Sequence, residues 1–317
     1  MLVTETPPAH NQLEFFIEQA RKARPIRTLV VHPVDANSLG GALEAAAQDL
    51  IEPVLVGPES RIRSTADELE LDLDGIEIVD CAHSHAAAET GCELVRSGHG
   101  EALMKGGLGT SELLGAVLHK TRGIRTERRL SHVFVFDIPS YPKPLVITDA
   151  AINVTPDLDV KQHIVQNAID FCRGLGVATP KVAILAAVEK VKSSMQSTID
   201  AAALCKMADR GQIVDGILDG PLAFDNAISR EAARDKHINS PVSGDADILL
   251  APDLEAANMI AKQLVYLANA KSAGLALGAR VPIILTSRSD KLLARLASCA
   301  LASHMVHDGS SMTRGDT

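Results

Sequence analysis

The chain reads as an α/β protein with largely parallel sheets, and three observations carry that reading. Short apolar runs alternate with amphipathic segments of helical period along most of the 317 residues. Several of those runs end abruptly in polar loops that open helices, the place beyond strand carboxyl ends where α/β proteins hold ligands. The alternation breaks between His132 and Thr148, where two apolar runs are separated only by Pro139-Ser-Tyr-Pro-Lys-Pro144. That connection is too short for a parallel crossover, so it reads as a hairpin-like excursion.

The elements follow in order. A helix at Asn11–Ala23 precedes a strand at Thr28–His32, a helix at Leu39–Leu50 and strands at Pro53–Gly57 and Ile76–Val79. Next come a helix at His85–Ser97, a strand at Ala102–Lys105 and a helix at Ser111–Lys120. The hairpin pair is Val133–Ile138 with Leu145–Thr148. A helix over Asp159–Leu175 is opened by Asp157 and Asp159 and closed by Gly174 and Gly176, which suits start and stop signals. Further strands are expected at Val182–Ala186, Ile213–Ile217, Ile248–Leu250 and Pro282–Leu285. Asp253 is a natural cap for the helix after the third of these, with Ile260, Leu264 and Leu267 as its buried stripe and Asn258 and Lys262 on another face. An apolar-striped helix starts near Lys291.

The length leaves room for two domains. The break in alternation puts a boundary near Tyr141. The expected first domain is 1–141 with 286–317, and the second is 142–285. The last helix returns to the first domain, because a strand ending in a ligand loop at Ser287 would otherwise face nothing.

Composition narrows the function classes. Hydrophobic residues at 46% and charged residues at 22% are ordinary for a soluble globular enzyme. With aromatics at 3%, the core must come from Ala, Leu, Ile and Val. A net charge of -9 argues against nucleic-acid binding, and anionic ligands would need cations gathered locally. Cys81, Cys92, Cys172, Cys205 and Cys299 show no Cys-x-x-Cys spacing and suit reduced thiols in a cytoplasm. No apolar stretch approaches the ~18 residues of a membrane span. His83 and His85 beside Cys81 lack a fourth ligand, so no metal is expected.

Val281-Pro-Ile-Ile-Leu-Thr-Ser-Arg-Ser-Asp290 is the most telling segment. An apolar strand ends in the hydroxyl of Ser287, the guanidinium of Arg288 and the carboxylate of Asp290, just before a helix. A helix N-terminus offers free N–H groups and a positive dipole end, and Arg288 can grip an anion bidentately. The plain alternative is that Ser287 or Asp290 caps the helix.

Lys105-Gly-Gly-Leu-Gly-Thr-Ser111 follows a strand and opens a helix. Its glycines allow close backbone approach, and Thr110 and Ser111 sit where cap hydroxyls meet a phosphate oxygen. Its spacing is neither a Walker loop nor a dinucleotide fingerprint. In Thr148-Asp-Ala-Ala-Ile-Asn-Val-Thr-Pro-Asp157, Asp149, Asn153 and Asp157 recur every four residues and can line one side of a turn; a turn-and-cap role is the alternative. Asp219-Gly-Pro-Leu-Ala-Phe-Asp-Asn226 is placed as a loop beyond another strand, with Asp225 as a candidate. Asn258 is a candidate in Pro252-Asp-Leu-Glu-Ala-Ala-Asn258. Arg122, Arg125, Arg128 and Arg129 form the most basic spot, either a solvated loop or a site for the phosphates of a nucleotide-like ligand.

Taken together, Thr148–Asp157, Asp219–Asp225, Ser240-Pro-Val-Ser-Gly-Asp-Ala-Asp247, Pro252–Asn258 and Thr286-Ser-Arg288 resemble the phosphate acetyltransferase/phosphate butyryltransferase family. Ala186-Ala-Val-Glu-Lys190, the stretch through Met195 to Asp200, and Leu285–Asp290 are closer to its butyryl-type branch. The resemblance implies two three-layer α/β domains of isocitrate/isopropylmalate dehydrogenase-like architecture, with a cleft between them and a homodimeric assembly. It implies reversible transfer of a short acyl group between coenzyme A, as substrate, and inorganic phosphate, with no prosthetic group. By the same resemblance Ser287 and Arg288 hold the phosphoryl group and a carboxylate serves as base. Acetyl-type members carry that Asp at about Ala294, so Asp290 is the nearest carboxylate here. Many members carry an Arg where this chain has Gly115, so Arg122 or Arg125 would contact the coenzyme phosphates instead. A decarboxylating dehydrogenase and a non-catalytic coenzyme A or acyl-phosphate sensor are the competing classes.

Overall fold

A computed structural model describes residues 11–285 and 291–309. In chain order it begins α1 (Gln12–Ala20), β1 (Ile26–Val31), α2 (Ala36–Ala47), β2 (Ile51–Gly57), α3 (Glu59–Glu68), β3 (Glu77–Asp80), α4 (Ser84–Arg96), β4 (Ala102–Lys105) and α5 (Thr110–Val117). Then come β5 (Ser131–Asp137), β6 (Leu145–Thr148), α6 (Leu158–Gly174), β7 (Lys181–Leu185), α7 (Gln196–Asp209), β8 (Ile217–Leu222), α8 (Phe224–Ile228) and α9 (Arg230–Asp235). The chain closes with β9 (Ile248–Leu250), α10 (Leu254–Leu267), β10 (Lys271–Leu277), β11 (Ile283–Ile284) and α11 (Leu292–Asp308).

These elements form two compact units. One comprises the described parts of Leu13–Arg128 and Ala273–Thr317, the other Arg129–Ser272 with residues 11 and 12. From sequence the junctions fell near Tyr141 and at 286; the units part instead between Arg128 and Arg129 and between Ser272 and Ala273. The β5–β6 hairpin explains the difference at the first junction. Its strands pair antiparallel from Val133↔Thr148 to Phe136↔Leu145, so the whole excursion belongs to the second unit. Tyr141 packs in that unit's core, and its hydroxyl donates to the Ala246 carbonyl at 2.6 Å.

In the first unit the strands run β3-β2-β1-β4-β11-β10. All neighbouring pairs are parallel except β10 with β11. Leu29, Val30, Val31, Leu103 and Met104 are fully buried, as expected for strands covered on both faces. Helix α11 is buried continuously from Leu296 to Met305. Its small Ala, Ser and Cys side chains let it pack closely on α2 and β11.

The second unit orders its strands β5-β6-β9-β7-β8. Phe136, Ile147, Leu185 and Leu249 centre its core, with Ala257 and Ala261 of α10 packed against them. The α10 stripe differs from expectation. The alanines provide its buried side, Ile260 and Leu264 are half-buried, and Leu267 is 79% exposed.

Two strands depart from the sequence reading. The run Ile213–Ile217 is not the strand; β8 begins at Ile217 and continues through Asp219-Gly-Pro-Leu222. An edge strand tolerates proline, and the register slips between Ala183 and Leu185. Glycine is required at 220, where a Cβ would lie 2.8 Å from the Ile184 Cβ and carbonyl oxygen. The Asp219–Asn226 block is therefore strand first and helix second, not a loop. Strand β10 was not expected, because Lys271-Ser-Ala-Gly-Leu-Ala-Leu277 is poor in β-branched and aromatic residues. Antiparallel pairing with β11 fixes it regardless.

In the second unit, Lys161 in the first turn of α6 meets Asp200 of α7 at 2.6 Å, with both side chains buried. Gln196 supplies a further hydrogen bond to Asp200 at 2.8 Å. Removing one partner leaves the other charge buried alone, which costs about 3–5 kcal/mol. Asp200→Ala is expected to lower unfolding free energy by about that amount, read from urea denaturation at neutral pH. A change below about 1 kcal/mol would show the ammonium finds water instead.

Candidate active site

A dense polar arrangement of the second unit lies at the carboxyl end of β6. The Thr148–Asp149 peptide is cis. Asp149 is only 3% exposed, and its carboxylate accepts four hydrogen bonds. Oδ1 takes the N–H groups of Ala151 and Ile152, each at 3.0 Å. Oδ2 takes the Asn153 N–H at 3.2 Å and its amide Nδ2 at 2.6 Å. Burial pushes this carboxyl above the usual range, and the donors from Ala151, Asn153 and Ile152 oppose that only in part.

Asn153 is fixed by a second bond, Nδ2 donating to the Leu130 carbonyl at 2.8 Å. Asn258 reaches the same loop from α10, donating to the Ala150 carbonyl at 3.2 Å. The backbone adds Leu254 N–H to the Val154 carbonyl at 3.1 Å. Asn153 and Asn258 are thus brought to one loop. Asp157 stands apart as the N-cap of α6, accepting from Val160 N–H at 2.9 Å, and Asp253 caps α10 in the same way.

Asp225 belongs to a different cluster. It is exposed in the first turn of α8, accepts the adjacent Asn226 N–H, and lies 3.5 Å from Lys236. Lys236 also donates to Glu189 at 2.5 Å, holding that carboxyl below its ordinary range. Asn226, fully buried, donates to the same Glu189 oxygen. Sequence reading did not bring Glu189, Asn226 and Lys236 together, because they are far apart in the chain.

In the first unit the glycine loop lies against the end of β1. Gly106 N–H donates to the Val31 carbonyl at 2.9 Å and Gly107 N–H to the His32 carbonyl at 2.7 Å. A Cβ at Gly106 would stand 2.4 Å from the Val31 oxygen, so close approach here is to the end of β1. Lys105 folds back onto the loop, its Nζ 3.2 Å from the Gly106 and Leu108 carbonyls. The N-cap of α5 is Gly109, so Thr110 and Ser111 are first-turn residues with exposed side chains rather than caps.

Arg122 is exposed and 3.5 Å from Glu89; Arg125 is exposed and bridges antiparallel to Ala279. His32 was also missed. It directly follows β1 in left-handed backbone, is nearly buried, and burial, reinforced by Arg61, lowers its pKa. His83 and His85 meet edge-on at 6.2 Å, and His83 Nδ1 caps α4 by accepting from Ala86 N–H.

Ser287, Arg288 and Asp290 lie outside the described residues. The helix after them begins at Leu292, and its N-cap position is Lys291, which makes no side-chain cap bond.

A family profile described as "Phosphate acetyl/butaryl transferase" matches residues 84–303, well over half of the chain. The chain belongs to this family. A phosphate acetyltransferase of Rhizobium meliloti is 58% identical over 296 residues, covering 93% of this chain and 94% of that protein. A phosphate butyryltransferase of Clostridium beijerinckii is 43% identical, covering 82% of this chain and 86% of its own length. The acetyl-named relative thus shares more identity than the butyryl-named one, although the sequence blocks lean to the butyryl branch.

Among solved structures, a branched-chain phosphotransacylase of Enterococcus faecalis superposes with a TM-score of 0.78 at 28% identity, covering 89% of this chain and 99% of that one. A 4-hydroxythreonine-4-phosphate dehydrogenase of Klebsiella pneumoniae matches in fold alone, with a TM-score of 0.55 at 13% identity, covering 90% of this chain and 100% of that one. The expected relation to dehydrogenase-like architecture therefore holds.

The family's glycine loop is where a single methyl is predicted to be costly. Gly106→Ala must push its Cβ into two backbone carbonyls of the β1 end, at 2.4 and 2.7 Å. Backbone cannot yield as a side-chain tip can, so a loss of about 2–4 kcal/mol is expected in chemical denaturation. Gly115→Ala, which meets nothing within 4 Å, is the matched control and should be neutral or slightly stabilising.

Proposed function

We propose that this chain transfers a short acyl group reversibly between coenzyme A and inorganic phosphate, giving acyl phosphate and the free thiol. The observation carrying the reading is membership of the phosphate acetyl/butyryl transferase family across residues 84–303, with a phosphate acetyltransferase relative at 58% identity. The chain is accordingly an acyltransferase, and coenzyme A enters as substrate.

The chemistry sets modest demands. Thioester and acyl phosphate are both activated, so the protein must align phosphate with the carbonyl and offset the negative charge that develops. In our reading Arg288 and Ser287 grip the phosphoryl group and stabilise the oxyanion. Asp290 takes the thiol proton when coenzyme A attacks, which helps because a thiol of pKa ~8.5 is mostly protonated at neutral pH. Thr110 and Ser111, in the first turn of α5, with Arg122 and Arg125, serve the coenzyme phosphates. Asn153, Asp225 and Asn258 are assigned to substrate contacts. Neither nucleic acid nor a membrane is a partner, and no helix among the described residues is long and apolar enough to cross one. Five unpaired cysteines support a cytoplasmic location.

We assign the assembly as a homodimer through α10. Met259, Tyr266 and Leu267 are 65%, 72% and 79% exposed on that helix. Antiparallel pairing of two copies centred near Met259 sets Glu255 against Lys262 of the partner subunit, so the face is complementary to itself. Sedimentation should give twice the chain mass for the wild type. Met259→Glu with Lys262→Glu, at the centre of that pairing, should give monomer; a monomeric wild type, or a dimer that survives the double change, removes this interface.

The activity test is phosphate-dependent release of thiol from acetyl-, propionyl- and butyryl-CoA in parallel. Release requiring phosphate is expected, and thiol release independent of phosphate would sink the reading. Arg288→Ala is expected to lower kcat/KM by about a hundredfold or more, the scale of losing one oxyanion-stabilising group. Unchanged turnover in the purified variant would remove Arg288 from the mechanism.

A further inference from the structure

The Asn153 amide has only one orientation available. Its Nδ2 stands between two acceptors, the Leu130 carbonyl at 2.8 Å and the Asp149 carboxylate at 2.6 Å. Turning the amide over would set Oδ1 against both, so these neighbours decide which atom is which. Both amide hydrogens are consumed. Oδ1 takes no hydrogen bond among the described residues, and it is not a buried orphan either. The result is a side-chain acceptor, locked in direction, on the loop beyond the carboxyl end of a parallel strand.

An acceptor fixed in direction selects for chemistry. It repels phosphate and acyl phosphate oxygens and favours a donor. On coenzyme A the donors beside the reacting end are the amide N–H groups of the pantetheine arm and the thiol S–H. We infer that Asn153 Oδ1 accepts a hydrogen bond from the pantetheine arm of coenzyme A, and that Asp149 is the positioning residue that holds it in that direction. The inference rests on the acyl-transfer reading and adds to it a specific contact and a residue that acts only through its neighbour. Asp149 cannot itself touch the arm, since its oxygens are already occupied by Ala151, Ile152 and Asn153.

The test is steady-state kinetics in both directions with Asn153→Ala, Asp149→Asn and the double variant. Wild-type turnover establishes the acyl-transfer reading first, so a failure there is separate from a failure of the contact. With Asn153→Ala, KM should rise about tenfold, the scale of one lost hydrogen bond, with kcat and the phosphate KM little changed. A rise for both acetyl-CoA and CoA identifies an arm amide as donor; a rise for CoA alone identifies the thiol.

Asp149→Asn keeps an oxygen for Ala151 and Ile152 but turns an NH2 toward Asn153. It should therefore raise the same KM, and the double variant should be no worse than Asn153→Ala. Unchanged KM values, a rise in the phosphate KM alone, or weaker inhibition by adenosine 3′,5′-bisphosphate, which lacks the arm, each overturn the contact. Additive effects, or an Asp149→Asn chain that does not fold while Asn153→Ala does, overturn the positioning role.

Discussion

A buried carboxylate at the end of β6 governs the local geometry of the second unit. Asp149 cannot reach water, so its oxygens must be satisfied by the few residues that follow it. Meeting that demand winds Ala151, Ile152 and Asn153 around it and leaves the loop almost no freedom. The same winding presents the Ala150 and Val154 carbonyls to α10, which docks through Asn258 and Leu254. Charge-assisted hydrogen bonds are worth about 1.5–3 kcal/mol each, yet the carboxyl is held above its ordinary range. Desolvation therefore outweighs its donors, and the arrangement secures shape more than stability.

In the first unit the glycine loop obeys a different constraint. Its glycines are required because its backbone lies against the end of β1, with N–H groups committed to Val31 and His32. Lys105 donates to two carbonyls of the loop itself, and Arg122 stands beside Glu89. The exposed first turn of α5 carries the positive end of that helix's dipole, which adds positive potential without a charged residue.

Legibility in the sequence followed local punctuation. Strands β4, β6 and β9 carry the bounds expected of them, because each is a short apolar run with a polar, glycine or proline residue at one end or both. Strand β10 was invisible, since Lys271-Ser-Ala-Gly-Leu-Ala-Leu277 gains its strand character from pairing with β11 rather than from its own residues. Strand β8 was misplaced because Gly220-Pro221 reads as a turn when its edge position and the slip beside β7 are unknown. Among candidate residues, the Asn153–Asp149 contact was legible through their spacing, because both partners lie in one short segment. Glu189 with Asn226 and Lys236 was not, because partners 37 and 47 residues apart meet only when β7 and β8 are folded.

The Lys161–Asp200 pair belongs to the same argument about shape. Helix α6 begins directly after the site loop, with Asp157 as its cap and Lys161 in its first turn. A buried ion pair contributes little net stability against a well-packed apolar pair, because the cost of desolvating two charges is close to their attraction. Its use here is directional, since both groups and the Gln196 amide must meet at one point on α7. That point sets where α6 starts. With β6 fixing one end of residues 149–157 and the α6 first turn fixing the other, the loop is stretched between two rigid anchors, and the Asp149 carboxylate determines its path between them.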